Sequence, residues 1–229
     1  MDYLIRLEKI MARLRSKNGC PWDKRQTHKS LKPYLLEETH EVLEAIDQMD
    51  YGHLREELGD LLLQVVFHSQ LAREKGKFGL QDVAKGIGDK LVRRHPHVFG
   101  KSSRKISDIN RKWEELKRQE KPERKSALDG LPKSLPALLR AQRMHEKISK
   151  SSQLGPSAEF AAQKTWSEFV KKLKNEKVSK GGKEKAAGDF LLAFTRMAQS
   201  NGIHAEMELR KASSRFEKSF RHRESKKDS

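Results

Sequence analysis

The sequence predicts an all-α protein. Apolar residues recur with a period of about 3.6 along almost the whole chain, which is the spacing of one face of an α-helix. Of the 229 residues, 35% are hydrophobic and 35% are charged, a balance that suits helices with wide solvated faces better than a thick buried sheet. Aromatic residues make up only 7%, and runs of β-branched residues are short, which argues against strands.

The predicted helices follow one another between residues that interrupt helices. In the first half they cover 2–16, 31–49, 53–75, 80–95 and 106–120, and in the second half 135–151, 157–178, 183–200 and 204–220. The interruptions are Asn18-Gly19 with Pro21, Tyr51-Gly52, Gly76 to Gly79, Pro96, Pro122, Pro132 with Pro136, Gly155-Pro156 and Gly181-Gly182. Asp82 and Ser157 are predicted to be N-cap residues.

An internal similarity divides the chain into two related helical halves. The segment 59–76 (GDLLLQVVFHSQLAREKG) resembles 188–202 (GDFLLAFTRMAQSNG) if a gap of three residues is allowed. We therefore expect two tandem helical repeats that form helical bundles, over 1–121 and 137–221. A linker is predicted at 122–136 and a disordered basic tail at 222–229.

Composition excludes several classes of protein. No apolar stretch approaches the roughly 20 residues that a membrane span needs, and the amphipathic N-terminus lacks the apolar core of a signal peptide. The single cysteine, Cys20, rules out an internal disulfide, as expected in a reducing compartment. The expectation is a soluble, cytoplasmic protein without membrane partners.

The charge is uneven along the chain. Residues 1–100 hold 17 Lys and Arg against 15 Asp and Glu, whereas residues 101–229 hold 32 against 17, a net charge of +15. A basic half attracts polyanions, either nucleic acid or nucleoside triphosphates. A lysine-rich surface can also simply keep a protein soluble, and the composition leaves both explanations open.

Helical wheels place acidic residues at the edge of two predicted apolar faces. The expected core face of helix 31–49 is Leu35, Leu36, Val42, Leu43, Ile46 and Met49, and that of helix 53–75 is Leu54, Leu58, Leu61, Leu62 and Val65. Glu38 and Glu41 lie at or just beyond the edge of the first face, and Glu57 and Asp60 at that of the second. By contrast, Glu37, Glu44 and Glu56 point towards solvent.

A short turn at Gly52 makes the two helices antiparallel neighbours, so the four edge carboxylates are expected to meet at one rim. Like charges within a few ångströms repel by roughly 1 kcal/mol or more per pair, even near a protein surface. A divalent cation would remove that repulsion. Carboxylate oxygens suit Mg²⁺ or Mn²⁺, and no set of Cys and His residues suggests zinc.

The ordered motifs resemble those of a known family. They are Cys20-Pro21-Trp22-Asp23, Gln26-Thr27-His28, Leu35, the EETHE segment at 37–41, the EELGD segment at 56–60 and KLVRRHPHVFG at 90–100. Together they resemble MazG, a nucleoside triphosphate pyrophosphohydrolase of the all-α NTP pyrophosphatase superfamily. The superfamily pattern is E-E-x-x-E, a spacer and E-x-x-D, and the spacer here is 15 residues.

The resemblance implies an activity and assigns roles to residues. The activity is hydrolysis of an NTP or dNTP to the monophosphate and pyrophosphate by a homodimer of intertwined helical bundles, with Mg²⁺ as the cofactor and Mn²⁺ as a possible substitute. The implied metal ligands are Glu38, Glu41, Glu57 and Asp60, with Glu37 supporting the site or positioning water. The implied substrate-binding residues are Lys90, Arg94, Trp113 and Lys117, of which Lys90 and Arg94 also act in catalysis.

The second half departs from the family pattern. Its best alignment places Glu168 and Lys171 on one pair of ligand positions, and Ala186 and Asp189 on the other. Arg215 matches Lys90, and Ser219 falls where Arg94 would lie. With two carboxylates missing and one replaced by a cation, this half is predicted to be a catalytically degenerate repeat.

Two alternatives remain open from the sequence. One is a basic nucleic-acid-binding or regulatory protein with a vestigial pyrophosphatase site, which the charge of the second half favours and the intact first-half motif opposes. The other is a related all-α pyrophosphatase with a dedicated substrate, which the CPWD and RRHPHVFG segments oppose.

Overall fold

The computed structural model describes residues 3–100, 125–149 and 157–226, together with eight single positions, Lys105, Ile109, Trp113, Glu115, Leu116, Gln119, Glu120 and Glu123. Every regular element in these ranges is a helix, so the prediction of an all-α fold is confirmed. The chain divides into two compact units, Met1–Lys117 and Arg118–Ser229.

The described part of the first unit contains six helices. They are α1 (Tyr3–Leu14), α2 (Pro21–Arg25), α3 (Lys32–Gln48), α4 (Tyr51–Glu74), α5 (Leu80–Arg94) and α6 (Pro96–Phe99). The short helices α2 and α6 are absent from the sequence prediction, which treated their prolines as interruptions. Proline at the first helical position has a favourable φ and loses no hydrogen bond, so each proline starts a helix instead. The predicted helix 106–120 lies largely outside the described residues.

The core of the first unit forms around α4. Its buried members are Met11, Leu31, Val66, Phe67, Leu71 and Leu80, with Leu7, Leu62 and Leu63 packed against them. Met11, Leu31 and Val66 are each only 1% exposed. The core therefore joins α1, α4, the start of α5 and the segment that leads into α3.

Most of the apolar face predicted for α3 and α4 lies at the surface of the single chain. Val42 is buried as expected, but the exposed fraction is 61% for Leu36, 51% for Ile46 and 49% for Leu58. The prediction of these residues as core was wrong because a helical wheel finds the apolar side of a helix but not what covers it. On α4, the buried side is the one that carries Val66, Phe67 and Leu71.

A single arginine connects the end of α1 to α2 and α4. The guanidinium of Arg15 donates to Glu74 through Nε and Nη2, at 2.8 and 2.7 Å. Its Nη1 donates to the backbone carbonyls of Asp23 and Gln26, and its charge lies 5.5 Å above the ring centroid of Phe67. With a side chain only 7% exposed, Arg15 holds the CPWD segment against α4.

The described part of the second unit contains four helices, α7 (Ala137–Ser149), α8 (Ala158–Lys174), α9 (Lys180–Ser200) and α10 (Ala205–Ser225). The side chain of Gln142 on α7 binds the start of α10, because Nε2 donates to the Ile203 carbonyl and Oε1 accepts from the Ala205 amide. Lys147 on the same helix donates to the carbonyls of Ala127 and Asp129, within the segment predicted as a linker.

The helix ends explain several differences of a few residues from the predicted ranges. Ser157 is the N-cap of α8 as predicted, and its Oγ accepts from the Phe160 amide at 3.1 Å. Asp82 is not an N-cap, because α5 begins after Gly79 and the Asp82 carboxylate accepts from the Gly79 amide from inside the first turn. The predicted helix 157–178 stops at Lys174, and the helix predicted to end at 220 continues to Ser225.

Helices α4 and α9 begin and end in the same way. Each includes a glycine that the sequence suggested as an interruption, Gly52 or Gly182, because the side chain of Asp50 or Ser179 accepts a hydrogen bond from that glycine's amide. Each helix is followed by a glycine with positive φ, Gly76 at 63° and Gly202 at 71°. The next amide then bonds to the carbonyl five residues back, Lys77 to Ala72 and Ile203 to Ala198, in a Schellman arrangement.

Candidate metal centre

The hairpin of α3 and α4 positions the acidic residues. Met49, with a left-handed φ of 56°, ends α3, and the Asp50 carboxylate caps α4 by accepting from the amides of Gly52 and His53. Because only Met49 and Asp50 separate the two helices, α3 and α4 pack against each other as neighbours. This tight turn brings the EETHE segment of α3 to the EELGD segment of α4.

Three of the four predicted metal ligands converge. One carboxylate oxygen from each of Glu38, Glu41 and Glu57 lies within 4.8 Å of the other two. Glu57 is buried, and the other two are partly exposed. Across the described ranges, no other three His, Cys, Asp or Glu side chains form such a group. Hard oxygen donors at this spacing fit a divalent cation such as Mg²⁺ or Mn²⁺.

The fourth predicted ligand, Asp60, is not among the three converging carboxylates, although its charge acts on Glu38. Burial raises the pKa of the Glu38 carboxyl above its usual value of 4.5. Neighbouring groups raise that pKa further, first the charge of Asp60, then the charge and hydrogen bond of Glu41, and last the charge of Glu57. The raised pKa means that ionising Glu38 costs free energy when nothing neutralises its neighbours.

Glu37 lies apart from this group. Its side chain is exposed, and it is not among the three converging carboxylates. The solvent-facing position predicted by the helical wheel therefore agrees with the structure. A direct role for Glu37 stays a prediction that rests on the family pattern.

The sequence prediction missed a histidine that contacts the group. His53 lies one helical turn before Glu57 on α4, and its Nε2 is 2.9 Å from Glu57 Oε1. The signal was present in the sequence, because His53 and Glu57 have the i,i+4 spacing that brings side chains together on a helix. The Glu57 side chain is 11% exposed and that of His53 is 38% exposed.

Two of the predicted substrate-binding residues contact each other. The guanidinium of Arg94, in the last turn of α5, lies 5.3 Å above the centroid of the Trp113 ring, a cation–π contact. His95 packs edge-on against the same ring at 5.0 Å, a neighbour that the sequence did not suggest. Lys90 is exposed one turn before Arg94, and Lys117 lies outside the described residues.

The second unit has an ion pair where the first has an acidic group. Lys185 Nζ lies 2.6 Å from Asp189 Oδ2 on α9, and the side chain of Ala186 between them in sequence is buried. The hydrogen bond to Asp189 raises the pKa of Lys185, and the charge of Glu168 on α8 raises it further. These carboxylates therefore have a lysine as their counter-ion.

None of the described helices is both long enough and apolar enough to cross a membrane.

Comparison with known proteins finds one matching family model and several relatives. The family model of the MazG nucleotide pyrophosphohydrolase domain matches residues 26–99, which include all four predicted metal ligands. A nucleoside triphosphate pyrophosphohydrolase of Escherichia coli K12 is 43% identical over 229 residues, covering 96% of this chain and 87% of that protein. The nucleoside triphosphate pyrophosphohydrolase/pyrophosphatase MazG of Thermotoga maritima is 42% identical, covering 94% and 83%. An uncharacterized Bacillus subtilis protein, YabN, is 51% identical over 141 residues, or 60% of this chain.

Proposed function

The chain belongs to the MazG family of nucleotide pyrophosphohydrolases, and from that premise we propose that its first unit carries the hydrolytic site. Its enzyme class is that of a nucleoside triphosphate pyrophosphohydrolase, a hydrolase that acts on phosphoric anhydrides. The substrate is an NTP or dNTP, and the products are the monophosphate and pyrophosphate. The site requires Mg²⁺, for which Mn²⁺ can substitute.

One observation carries this proposal: the convergence of Glu38, Glu41 and Glu57 in the first unit. Three carboxylates within 4.8 Å repel one another, and the raised pKa of Glu38 reflects that repulsion as well as burial. A divalent cation held by these three residues and Asp60 would offset the repulsion. In the second unit, Lys185 already neutralises Asp189, which leaves no comparable demand for a cation.

The reaction breaks the bond between the α-phosphorus and the oxygen that bridges it to the β-phosphorus. A water oxygen attacks the α-phosphorus, its proton passes to a nearby base, and pyrophosphate leaves with the bond's electron pair. A cation held by Glu38, Glu41, Glu57 and Asp60 would neutralise charge on the phosphate oxygens and lower the pKa of water at the site. The carboxylates of the group orient the attacking water, with Glu37 proposed as a further base or positioning residue.

The basic residues complement the carboxylates by binding the phosphates of the substrate. Lys90, Arg94 and Lys117 neutralise the triphosphate and the charge that develops on the leaving pyrophosphate. The planar guanidinium of Arg94 suits paired phosphate oxygens, and its contact with Trp113 restricts its orientation. Trp113 offers the face of its ring to the base or sugar.

The apolar surface of the α3–α4 hairpin supports a homodimer. Leu36, Ile46 and Leu58 are each about half exposed or more in the single chain, which is unfavourable in water. A second copy that packs on this face would bury them and complete the helical bundle. Light scattering on the purified protein tests this part of the proposal, and a monomer at micromolar concentration would contradict it. A cytoplasmic location also stays a prediction.

The decisive experiment compares two matched aspartates. Asp60 and Asp189 occupy corresponding positions in the two predicted repeats, so each is changed to alanine in the full chain. Pyrophosphate release from a panel of NTPs and dNTPs is measured with Mg²⁺ and with EDTA. We expect Asp60→Ala and EDTA to abolish release and Asp189→Ala to leave it unchanged. Loss of activity in Asp189→Ala with Asp60→Ala intact would overturn the assignment to the first unit.

A further inference from the structure

We propose that His53 is a positioning residue that fixes the carboxylate of Glu57 for metal binding. Its ring lies outside the three converging carboxylates but touches one of them, at 2.9 Å between Nε2 and Glu57 Oε1. The inference rests on the proposed metal site and adds a residue to it. It assigns His53 no contact with the cation or with the substrate.

The backbone of His53 is itself held in place. The Asp50 carboxylate oxygen Oδ1 accepts from the His53 amide at 3.0 Å and from the Gly52 amide at 2.9 Å. These bonds fix the first turn of α4, where amides otherwise lack partners. From that turn, the imidazole contacts Glu57 one helical turn further along α4. The capped helix end, His53 and Glu57 are therefore linked by consecutive contacts.

Burial makes this contact important for Glu57. The residue is only 8% exposed and lies beside two other carboxylates, so water can satisfy its oxygens only in part. A carboxylate without a polar partner is costly to bury in such a place. The contact with Nε2 restrains Oε1 and limits how the Glu57 carboxylate can turn, as partners of metal ligands commonly do.

Loss of a positive charge alone would also change the metal affinity, so the experiment must separate it from loss of the contact with Glu57. Arg55 lies two residues after His53 on the same turn of α4, and its side chain is exposed. Removing Arg55 takes away a full charge from the same helix but leaves the contact between His53 and Glu57 in place. If His53 acts through that contact, the two changes differ in their effect on metal affinity.

The test measures Mn²⁺ affinity of the full chain by electron paramagnetic resonance, without substrate. His53→Met and His53→Gln have side chains of equal length, and only glutamine keeps an N–H donor. Both residues suit a helix, and circular dichroism confirms that each variant folds. We expect His53→Met to weaken Mn²⁺ binding about tenfold or more, as the loss of such a partner typically does. His53→Gln should recover most of that loss, and Arg55→Met should stay close to the unaltered chain.

The results separate failure of this inference from failure of the metal site. If the unaltered chain binds Mn²⁺ and His53→Met binds it equally well, the positioning role is overturned and the metal site stands. The role is also overturned if Arg55→Met weakens binding as much as His53→Met, because charge alone then explains the effect. If the unaltered chain binds no Mn²⁺, the proposed metal site and this inference both fall.

Discussion

Replacing Glu38 by glutamine should stabilise the metal-free protein while it destroys the metal site. Glu38 converges with two other carboxylates, and its pKa is raised by burial and by the charges of Asp60, Glu41 and Glu57. Glutamine keeps the shape of the side chain and removes its charge. The repulsion present in the folded state therefore decreases, whereas the unfolded chain, where these residues are far apart, changes little.

The distance between the carboxylates sets the size of the effect. Two unit charges 4.8 Å apart repel by about 0.9 kcal/mol in water and by about 3.5 kcal/mol at an effective dielectric of about 20. Because Glu38 is partly exposed, values near the lower figure apply. Its two nearest partners then give a stabilisation of about 1 to 2 kcal/mol, which corresponds to a rise in Tm of roughly 3 to 8 °C.

The stabilisation depends on pH with a defined sign. The folded-state pKa of Glu38 is raised above 4.5, so the cost of its charge is fully present above that raised pKa. As pH falls through the raised pKa towards 4.5, Glu38 takes up a proton in the folded state and the cost disappears. The difference in unfolding free energy between Glu38→Gln and the unaltered chain should therefore shrink at acid pH.

The assay is thermal unfolding in EDTA and in Mn²⁺, followed by circular dichroism. Glu56→Gln is the matched control, because Glu56 is exposed on α4 next to Glu57 and outside the converging group. In EDTA, Glu38→Gln should melt higher than both the control and the unaltered chain. In Mn²⁺, it should lose the stabilisation that the other two gain. A Glu38→Gln protein that melts no higher than the control in EDTA would refute the reasoning.

Three further predictions concern other parts of the first unit. Arg15→Met should lower the unfolding free energy by about 2 kcal/mol at neutral pH through loss of a mostly buried donor. Arg15 holds the pKa of Glu74 below 4.5, so the difference in unfolding free energy between Arg15→Met and the unaltered chain, measured with urea, should become smaller below pH 4.5. A difference that stays constant with pH would contradict this. Burial lowers the pKa of His68, so this residue resists protonation in the folded protein. The unfolding free energy should therefore fall as the pH drops through 6.5, and it should fall less in His68→Gln. An equal pH dependence of the unfolding free energy in the two proteins would exclude the effect. Trp113→Ala should raise KM roughly 5- to 100-fold with a smaller change in kcat if the ring stacks on the base; a change in kcat alone would argue against stacking.

The sequence was sufficient for the acidic group because the relevant information is local. Spacing of three residues places Glu38 with Glu41, and Glu57 with Asp60, on shared helical faces, and a two-residue turn leaves the helices no arrangement except as neighbours. The same reasoning predicted most helices, since each has its own periodic pattern. Ser157 is such a cap, recognised from one residue and confirmed by its hydrogen bond to Phe160.

Errors arose where a residue's environment depends on distant parts of the chain. Leu36 and Leu58 have the periodicity of core residues, yet no described part of the same unit covers them fully. No local pattern marks Arg15, because its partner Glu74 lies 59 positions further along the chain. His53 differs, because its partner Glu57 is only one helical turn away but an imidazole is not part of the acidic pattern.

The ion pair of Lys185 and Asp189 distinguishes the α8–α9 hairpin of the second unit from the α3–α4 hairpin of the first, because the two differ in the source of the counter-ion for their carboxylates. On the proposed metal site, the counter-ion of the first unit comes from solution, so the stability of the α3–α4 hairpin should vary with the free concentration of divalent metal. In the second unit, the counter-ion of Asp189 is a side chain of the same helix, with Lys185 Nζ 2.6 Å from Asp189 Oδ2. On that proposal, chelators and metal starvation should act on the first hairpin and leave the second unchanged.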